Sequence, residues 1–288
     1  MNEAKIDMIK THDSYTLKVT SFEPKCDPIG VVQIIHGFGE HAERYYELAD
    51  FFTSNGYVCV ACDQRGHGEM PGLNSDKRQK MLGVIKKYDD LLDDVGLIHS
   101  EIARRYPGLP IFLYAHSMGG NIALNYLLRR SQTDFDKVIL ESPWIHLYKK
   151  RPRYLITLSH FLGCLNKNIV SSGNLNTHIL SRNPSVAEAI KNDKHFHTQM
   201  SLRLFAKMTY AGEYALKHAS DIKSPTLLLC GGKDKIACPK AMREFNKKSG
   251  GNVVLFEDAE GYHMLRLDAK ETKTTVLNRV LEFLKSGQ

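Results

Sequence analysis

The chain has 288 residues and a mass of 32.6 kDa, enough for one large α/β domain with an insertion. Hydrophobic residues make up 42% and charged residues 25%, a balance that fits a soluble globular protein and excludes disordered, fibrous and membrane-spanning classes. The formal charge is +7, but no basic motif with interleaved stacking aromatics accompanies it, so a nucleic-acid partner is not expected.

The opening residues through Asp7 hold no apolar run, so no secretory signal is expected. Tyr15–Phe22 alternates as a strand. Pro24, Pro28 and Gly30 mark a turn, and Gly30–Ile35 follows as an apolar run of buried-strand type. It ends in His36-Gly37-Phe38-Gly39-Glu40-His41. A helix is predicted from about Glu43 to Ser54, stopped by Asn55-Gly56. Tyr57–Ala61 is the next strand and ends in Asp63-Gln64-Arg65-Gly66-His67-Gly68. A long charged helix is predicted over 83–106, before Pro107 and Gly108.

Ile111–Tyr114 is again strand-like, and the chain then turns sharply through Ala115-His116-Ser117-Met118-Gly119-Gly120 into a helical pattern. Strand, tight turn with a central Ser, then helix is the setting of a nucleophile elbow. The usual pattern is G-x-S-x-G, and Ala115 stands where the first Gly would be. Gly119 and Gly120 suit a turn where backbone segments come close. Further strands are predicted at Lys137–Glu141, Thr226–Cys230 and Asn252–Phe256, with a closing helix from about Ala269 to Lys285. Short apolar strands alternating with helices indicate a mostly parallel sheet with helices on both faces.

Residues 144–222 break that rhythm. They show no clear buried strand, only helical pieces at Tyr154–Leu165 and Ser201–Lys217, joined by a polar stretch through Gly173, Asn174 and Asn176. The expected organisation is a core of residues 1–143 and 223–288 with a helical cap inserted at 144–222. The insertion also carries the whole charge excess, 11 Lys/Arg against 4 Asp/Glu, and the remainder nets to zero. The basic run Lys149-Lys150-Arg151-Pro152-Arg153 is followed by Tyr154, Leu155, Ile156, Leu158, Phe161, Leu162 and Leu165. Two uses are expected together for this stretch: apolar residues facing inward to line an acyl pocket, and a basic rim that draws the cap to an anionic membrane surface.

A Ser nucleophile needs a base for its proton and an acid that fixes the base's tautomer. Asp234 follows the strand Thr226–Cys230 within Gly231-Gly232-Lys233-Asp234-Lys235, and His263 follows the last strand. The order Ser117, Asp234, His263, each just after a strand, is that of a hydrolase triad. Glu141 also ends a strand and is the rival acid. An oxyanion needs two backbone donors, expected from the amides of Met118 and Phe38. The six Cys are scattered, and Cys59-x-x-Cys62 lies on a strand with no second pair, so no metal or redox role is expected and a reducing cytoplasm fits.

Taken as a set, His36–Tyr45, Asp63–Gly68, His116–Gly120, Gly232–Lys235 and Tyr262–Leu265 resemble the monoacylglycerol lipase/lysophospholipase family of serine hydrolases. The resemblance implies an α/β-hydrolase fold, no cofactor, and monoacylglycerol or lysophospholipid esters as substrates. It also implies Ser117 as nucleophile, Asp234 as acid, His263 as base, and Phe38 and Met118 as oxyanion donors. Rival readings are an esterase or thioesterase for other small acyl groups, and a catalytically silent binding module.

Overall fold

An eight-stranded sheet organises the structure, a computed structural model that describes residues 4–131, 134–173 and 175–286. Asn174 of the predicted polar stretch lies outside these residues. In chain order the elements are β1 (Ala4–Lys10), β2 (Thr16–Phe22), β3 (Gly30–Ile35), α1 (Tyr46–Ser54), β4 (Tyr57–Cys62), α2 (Ser75–Met81) and α3 (Asp89–Arg105). They continue with β5 (Ile111–His116), α4 (Met118–Arg129), β6 (Lys137–Glu141), α5 (Arg153–Leu165), β7 (Val170–Ser172), α6 (Pro184–Lys191) and β8 (Gln199–Ser201). The last are α7 (Leu202–Lys217), β9 (Thr226–Gly231), α8 (Pro239–Lys248), β10 (Val253–Asp258) and α9 (Lys270–Lys285).

The strand order is β1-β2-β4-β3-β5-β6-β9-β10. The six strands from β4 to β10 in that order run parallel, and β2 and β1 are added antiparallel at one edge. This is the expected α/β-hydrolase architecture. The parallel strands read as continuous apolar runs because both faces are covered. Along β5, Leu113 and Ala115 join the core under α3, α4 and α7, whereas Phe112 and Tyr114 join the core under α1 and α9.

Differences from the sequence expectations have local causes. The opening residues carry no apolar run and no strand is expected there, yet Ala4–Lys10 pairs along its whole length with β2. Ile6 and Met8 stay exposed at this edge, so pairing rather than burial holds the strand. The helix predicted over 83–106 begins only at Asp89; Asp90 Oδ2 reaches back to accept the Lys87 amide at 3.2 Å, which holds the approach to the helix in a separate turn. Gly83, at φ +65°, lies in the preceding turn. α2 buries no residue, so it leaves no apolar period; its start is capped by Asn74 Oδ1, which accepts the Lys77 amide at 3.0 Å. The insertion holds a short antiparallel pair of three-residue strands, β7 on β8, and between them in the chain α6, which opens on Asn183-Pro184.

Between β6 and β9 the chain leaves the sheet and returns over its loops. The His197 amide donates to Gly39 O at 3.2 Å, and the Met264 amide to Leu180 O at 2.8 Å. The buried Asn121 of α4 spans the same seam, with Nδ2 donating to Trp144 O at 2.7 Å and Met208 O at 3.0 Å. Among the described residues, no helix is long and apolar enough to cross a membrane.

Candidate active site

Ser117 sits between the last residue of β5 and the first of α4 with φ 53° and ψ −111°. A non-glycine residue there is strained, and such strain persists only where surroundings enforce it. Here the Ser117 amide donates to Glu141 O at 2.9 Å, and Ser117 O accepts the amides of Trp144 at 2.9 Å and Asn121 at 3.1 Å. The close approach that the glycines allow is real. A Cβ on Gly119 would lie 2.3 Å from Ile35 O, and one on Gly120 2.7 Å from Pro143 Cβ. α4 therefore begins directly against the end of β3.

Ser117 Oγ lies 2.9 Å from His263 Nε2, and His263 Nδ1 lies 2.7 Å from Asp234 Oδ2. The Asp234 carboxylate can only accept, so Nδ1 carries the proton and Nε2 presents its lone pair to the Ser hydroxyl. Asp234 Oδ1 accepts the amides of Ile236 at 2.7 Å and Ala237 at 3.0 Å, which fixes the carboxylate's plane. All three side chains are buried. Burial by itself would push the His263 imidazole down. The Asp234 carboxylate, with Glu141 and Glu40 behind it, outweighs burial and holds the group above its ordinary value.

The Met118 amide is the first of α4, and helix N-termini leave such donors without intrahelical partners. Phe38 lies in the loop after β3. Neither amide donates to an acceptor among the described residues.

The rival acid Glu141 is not beside His263. Its Oε2 accepts Tyr114 Oη at 2.8 Å and Arg266 Nη1 at 3.0 Å, and its Oε1 accepts the Arg266 amide at 2.8 Å. Arg266 also reaches Glu40 Oε1 at 3.1 Å and lies over the Tyr45 ring. Glu40 Oε2 gathers the Gly37 amide at 2.8 Å, Tyr45 Oη at 2.7 Å and His116 Nδ1 at 3.0 Å. Burial would raise the Glu40 carboxyl, but Arg266 and His116 reverse that and hold it well below the usual carboxylate range. The His116 ring lies tilted against the His263 ring, with centroids 4.9 Å apart. This buried ionic cluster under the elbow escaped the sequence reading. Glu40 and His116 stood inside quoted motifs, but nothing in the sequence says that Arg266 joins them.

A family model described as serine aminopeptidase, S33, matches residues 27–270. The chain belongs to this family. Among its curated relatives is a monoacylglycerol lipase of Mycolicibacterium smegmatis, 30% identical over 74% of this chain and 73% of that protein. An uncharacterized abhydrolase domain-containing protein of Dictyostelium discoideum is 31% identical over 98% of this chain, which spans only 29% of that protein. The solved structure of a Paleococcus ferrophilus monoacylglycerol lipase superposes with a TM-score of 0.81 at 27% identity, covering 93% of this chain and 98% of that one. The resemblance seen in the motifs therefore holds, and this member of the S33 family is a serine hydrolase similar to monoglyceride lipases.

This S33-family chain holds a cavity of about 640 Å³, lined mostly from residues 144–217 and by none of Ser117, Asp234, His263, Phe38 and Met118. Trp144, Leu147, Ile156, Phe205 and Leu216 give it apolar walls. Lys150, Arg151, Arg153, Lys217 and Lys248 surround them. Its link to the elbow is Trp144, whose amide donates to Ser117 O at 2.9 Å. The inward-facing role expected for the whole apolar stretch of α5 is not what the structure has. Ile156 lines the cavity, but Tyr154, Phe161 and Leu165 are 70%, 59% and 69% exposed, with Leu155 and Leu158 also on the surface. α5 packs mainly on α7 and buries only Ile156 and Gly163, so most of its apolar residues are left facing out.

Proposed function

We propose that the protein is a carboxylic-ester hydrolase for lipid esters, monoacylglycerols or lysophospholipids, working through an acyl-enzyme. Ser117 Oγ attacks the ester carbonyl as His263 Nε2 takes its proton. The tetrahedral oxyanion is held by the amides of Phe38 and Met118. His263 then returns the proton to the leaving alcohol and activates the water that releases the acid. Asp234 keeps the imidazole in the tautomer this requires. The observation that carries the reading is the continuous hydrogen-bonded line Ser117–His263–Asp234 on a strained elbow.

The lipid class is supported by the relatives named for monoacylglycerol hydrolysis. Residues 144–222 act as the cap, and the 640 Å³ cavity accepts part of the substrate. Three cations around it have no ion-pair partner among the described residues, Lys150, Arg151 and Lys217, and they favour a lysophospholipid's anionic head group as a second reading. The outward apolar face of α5 beside the basic run supports peripheral contact with an anionic membrane surface. A cytoplasmic location is part of the proposal, and the free state of all six Cys agrees with it.

A panel of esters tests the substrate: monoacylglycerols and lysophospholipids of several chain lengths, short aryl esters and acyl thioesters. Highest kcat/KM on a long-chain lipid ester supports the proposal. Hydrolysis confined to short aryl esters or thioesters would replace it with the esterase reading, and no turnover of any ester with the binding-module reading.

A further inference from the structure

Away from the triad, a second convergence lies where the loop after β3 meets the segment between α6 and β8. His41, Glu43 and His195 each offer one ligand atom, and the three atoms lie within 4.8 Å of one another. The two rings meet edge-on with centroids 5.4 Å apart. His41 is buried, and its Nε2 donates to Asp193 Oδ2 at 2.9 Å. With that proton committed to a carboxylate, the ring's lone pair is on Nδ1. Carboxylate-backed imidazole is the arrangement that metal-ligating histidines carry. Asp193 is itself fixed by Arg44 Nη1 at 3.1 Å, and its Oδ1 accepts the His195 amide at 2.9 Å. The same carboxylate thus orients both histidines.

The other observation is at His195. Its Nδ1 is shut off from solvent and has no hydrogen-bond partner among the described residues. A ring nitrogen orphaned beside a second imidazole and a carboxylate has no use in the ester chemistry. Two cations oppose an ion here, Arg78 near His195 and Lys18 at Glu43. Lys18 Nζ lies 3.3 Å from Glu43 Oε1, but it lies 3.1 Å from Glu69 and keeps that partner if Glu43 turns away.

We propose that His41, His195 and Glu43 form a three-ligand site for a divalent transition ion of the zinc class, with a further position open to water. Two imidazoles and one carboxylate are a zinc donor set. With bonds of about 2.0–2.1 Å, tetrahedral ligands lie about 3.3 Å apart, so the side chains close inward by up to about 1.5 Å on binding. Glu43 is exposed and His195 half-buried, and both have room for that rotation. The ion ties the segment of His195 to the loop of Phe38, a junction that the His197 amide already bridges to Gly39 O. It clamps the insertion to the core without entering the reaction.

The test is titration of Zn²⁺ into the chelator-stripped full chain by calorimetry, with thermal melts alongside. The expected result is one saturable site, a rise in Tm with Zn²⁺ that chelator reverses, and binding weakened about 100-fold or more in His195→Ala and in Glu43→Gln. Losing an outer-shell partner already costs about 10–100-fold, and a direct ligand costs more. Both positions are open enough that the variants keep the wild-type metal-free melt. His160→Ala, which removes a half-buried imidazole beside Cys164 on α5, leaves binding unchanged. No saturable site in the wild type, wild-type affinity in both site variants, or loss of binding in His160→Ala overturns the proposal.

Discussion

At the scale of single residues, Ser117 and its two partners divide labour in a way that mutation separates. Ser117→Ala is expected to abolish ester hydrolysis and keep the wild-type melt, since the hydroxyl makes one hydrogen bond, to His263. Asp234→Asn is expected to lower kcat by about 10⁴, because the amide favours the wrong tautomer of His263. Glu141→Gln behaves differently. It leaves Arg266 with one carboxylate in a fully buried cluster, which costs about 3 kcal/mol of stability by urea unfolding while kcat falls far less than in Asp234→Asn. The reverse ranking in kcat would reassign the acid. The pH dependence follows from the raised His263. Nε2 must be neutral to take the Ser proton, so kcat/KM rises with pH along an acid limb whose midpoint lies above 6.5. The stability from the charged His263–Asp234 pair has the opposite sense: full below the unfolded imidazole's pKa, about 6.5, and lost as pH rises through the higher folded value. The triad residues were legible in the sequence because each follows a recognisable strand. Glu40, His116 and Arg266 were not, because their meeting depends on the loops after β3, β5 and β10 converging in space.

Elements were legible to the extent that they bury a periodic face. β3 and β6 match their sequence bounds, being apolar on both sides. β1 and α2 bury too little to leave a pattern, and α6 announces itself only through Asn183-Pro184. The elbow depends on α4 approaching β3. Gly119→Ala would set a Cβ against Ile35 O and displace the Met118 amide, so kcat should fall even where the protein still folds. Farther along α4, Asn121 holds the chain after β6 and α7 in place. Asn121→Ala takes the side-chain partner from the Trp144 carbonyl and from Tyr88 Oη, both buried, and is expected to cost about 1–3 kcal/mol, measured by urea denaturation. A change under a few tenths of a kcal/mol would mean that apolar packing alone joins α4 to α7.

For the whole molecule, the uneven charge visible in the sequence becomes a position. Lys149, Lys150 and Arg151 are exposed next to Tyr154, Leu158, Phe161 and Leu165, also exposed, on α5. Composition could place the charge in the insertion but could not say which way α5 faces, since packing on α7 decides that. Each cation near an anionic surface contributes about 1 kcal/mol at low salt. Replacing Lys149, Lys150, Arg151 and Arg153 with Gln should weaken co-sedimentation with anionic vesicles at low salt and leave hydrolysis of a short soluble ester unchanged. Equal sedimentation of both proteins would reduce the basic run to a solvated face. The central claim, that this fold presents Ser117 as an activated nucleophile, is tested most directly by reaction with a fluorophosphonate followed by peptide mass spectrometry. The account predicts one phosphonyl group per chain, on Ser117, and none in Ser117→Ala or His263→Ala; an unlabelled wild type, or an adduct on another residue, would contradict it.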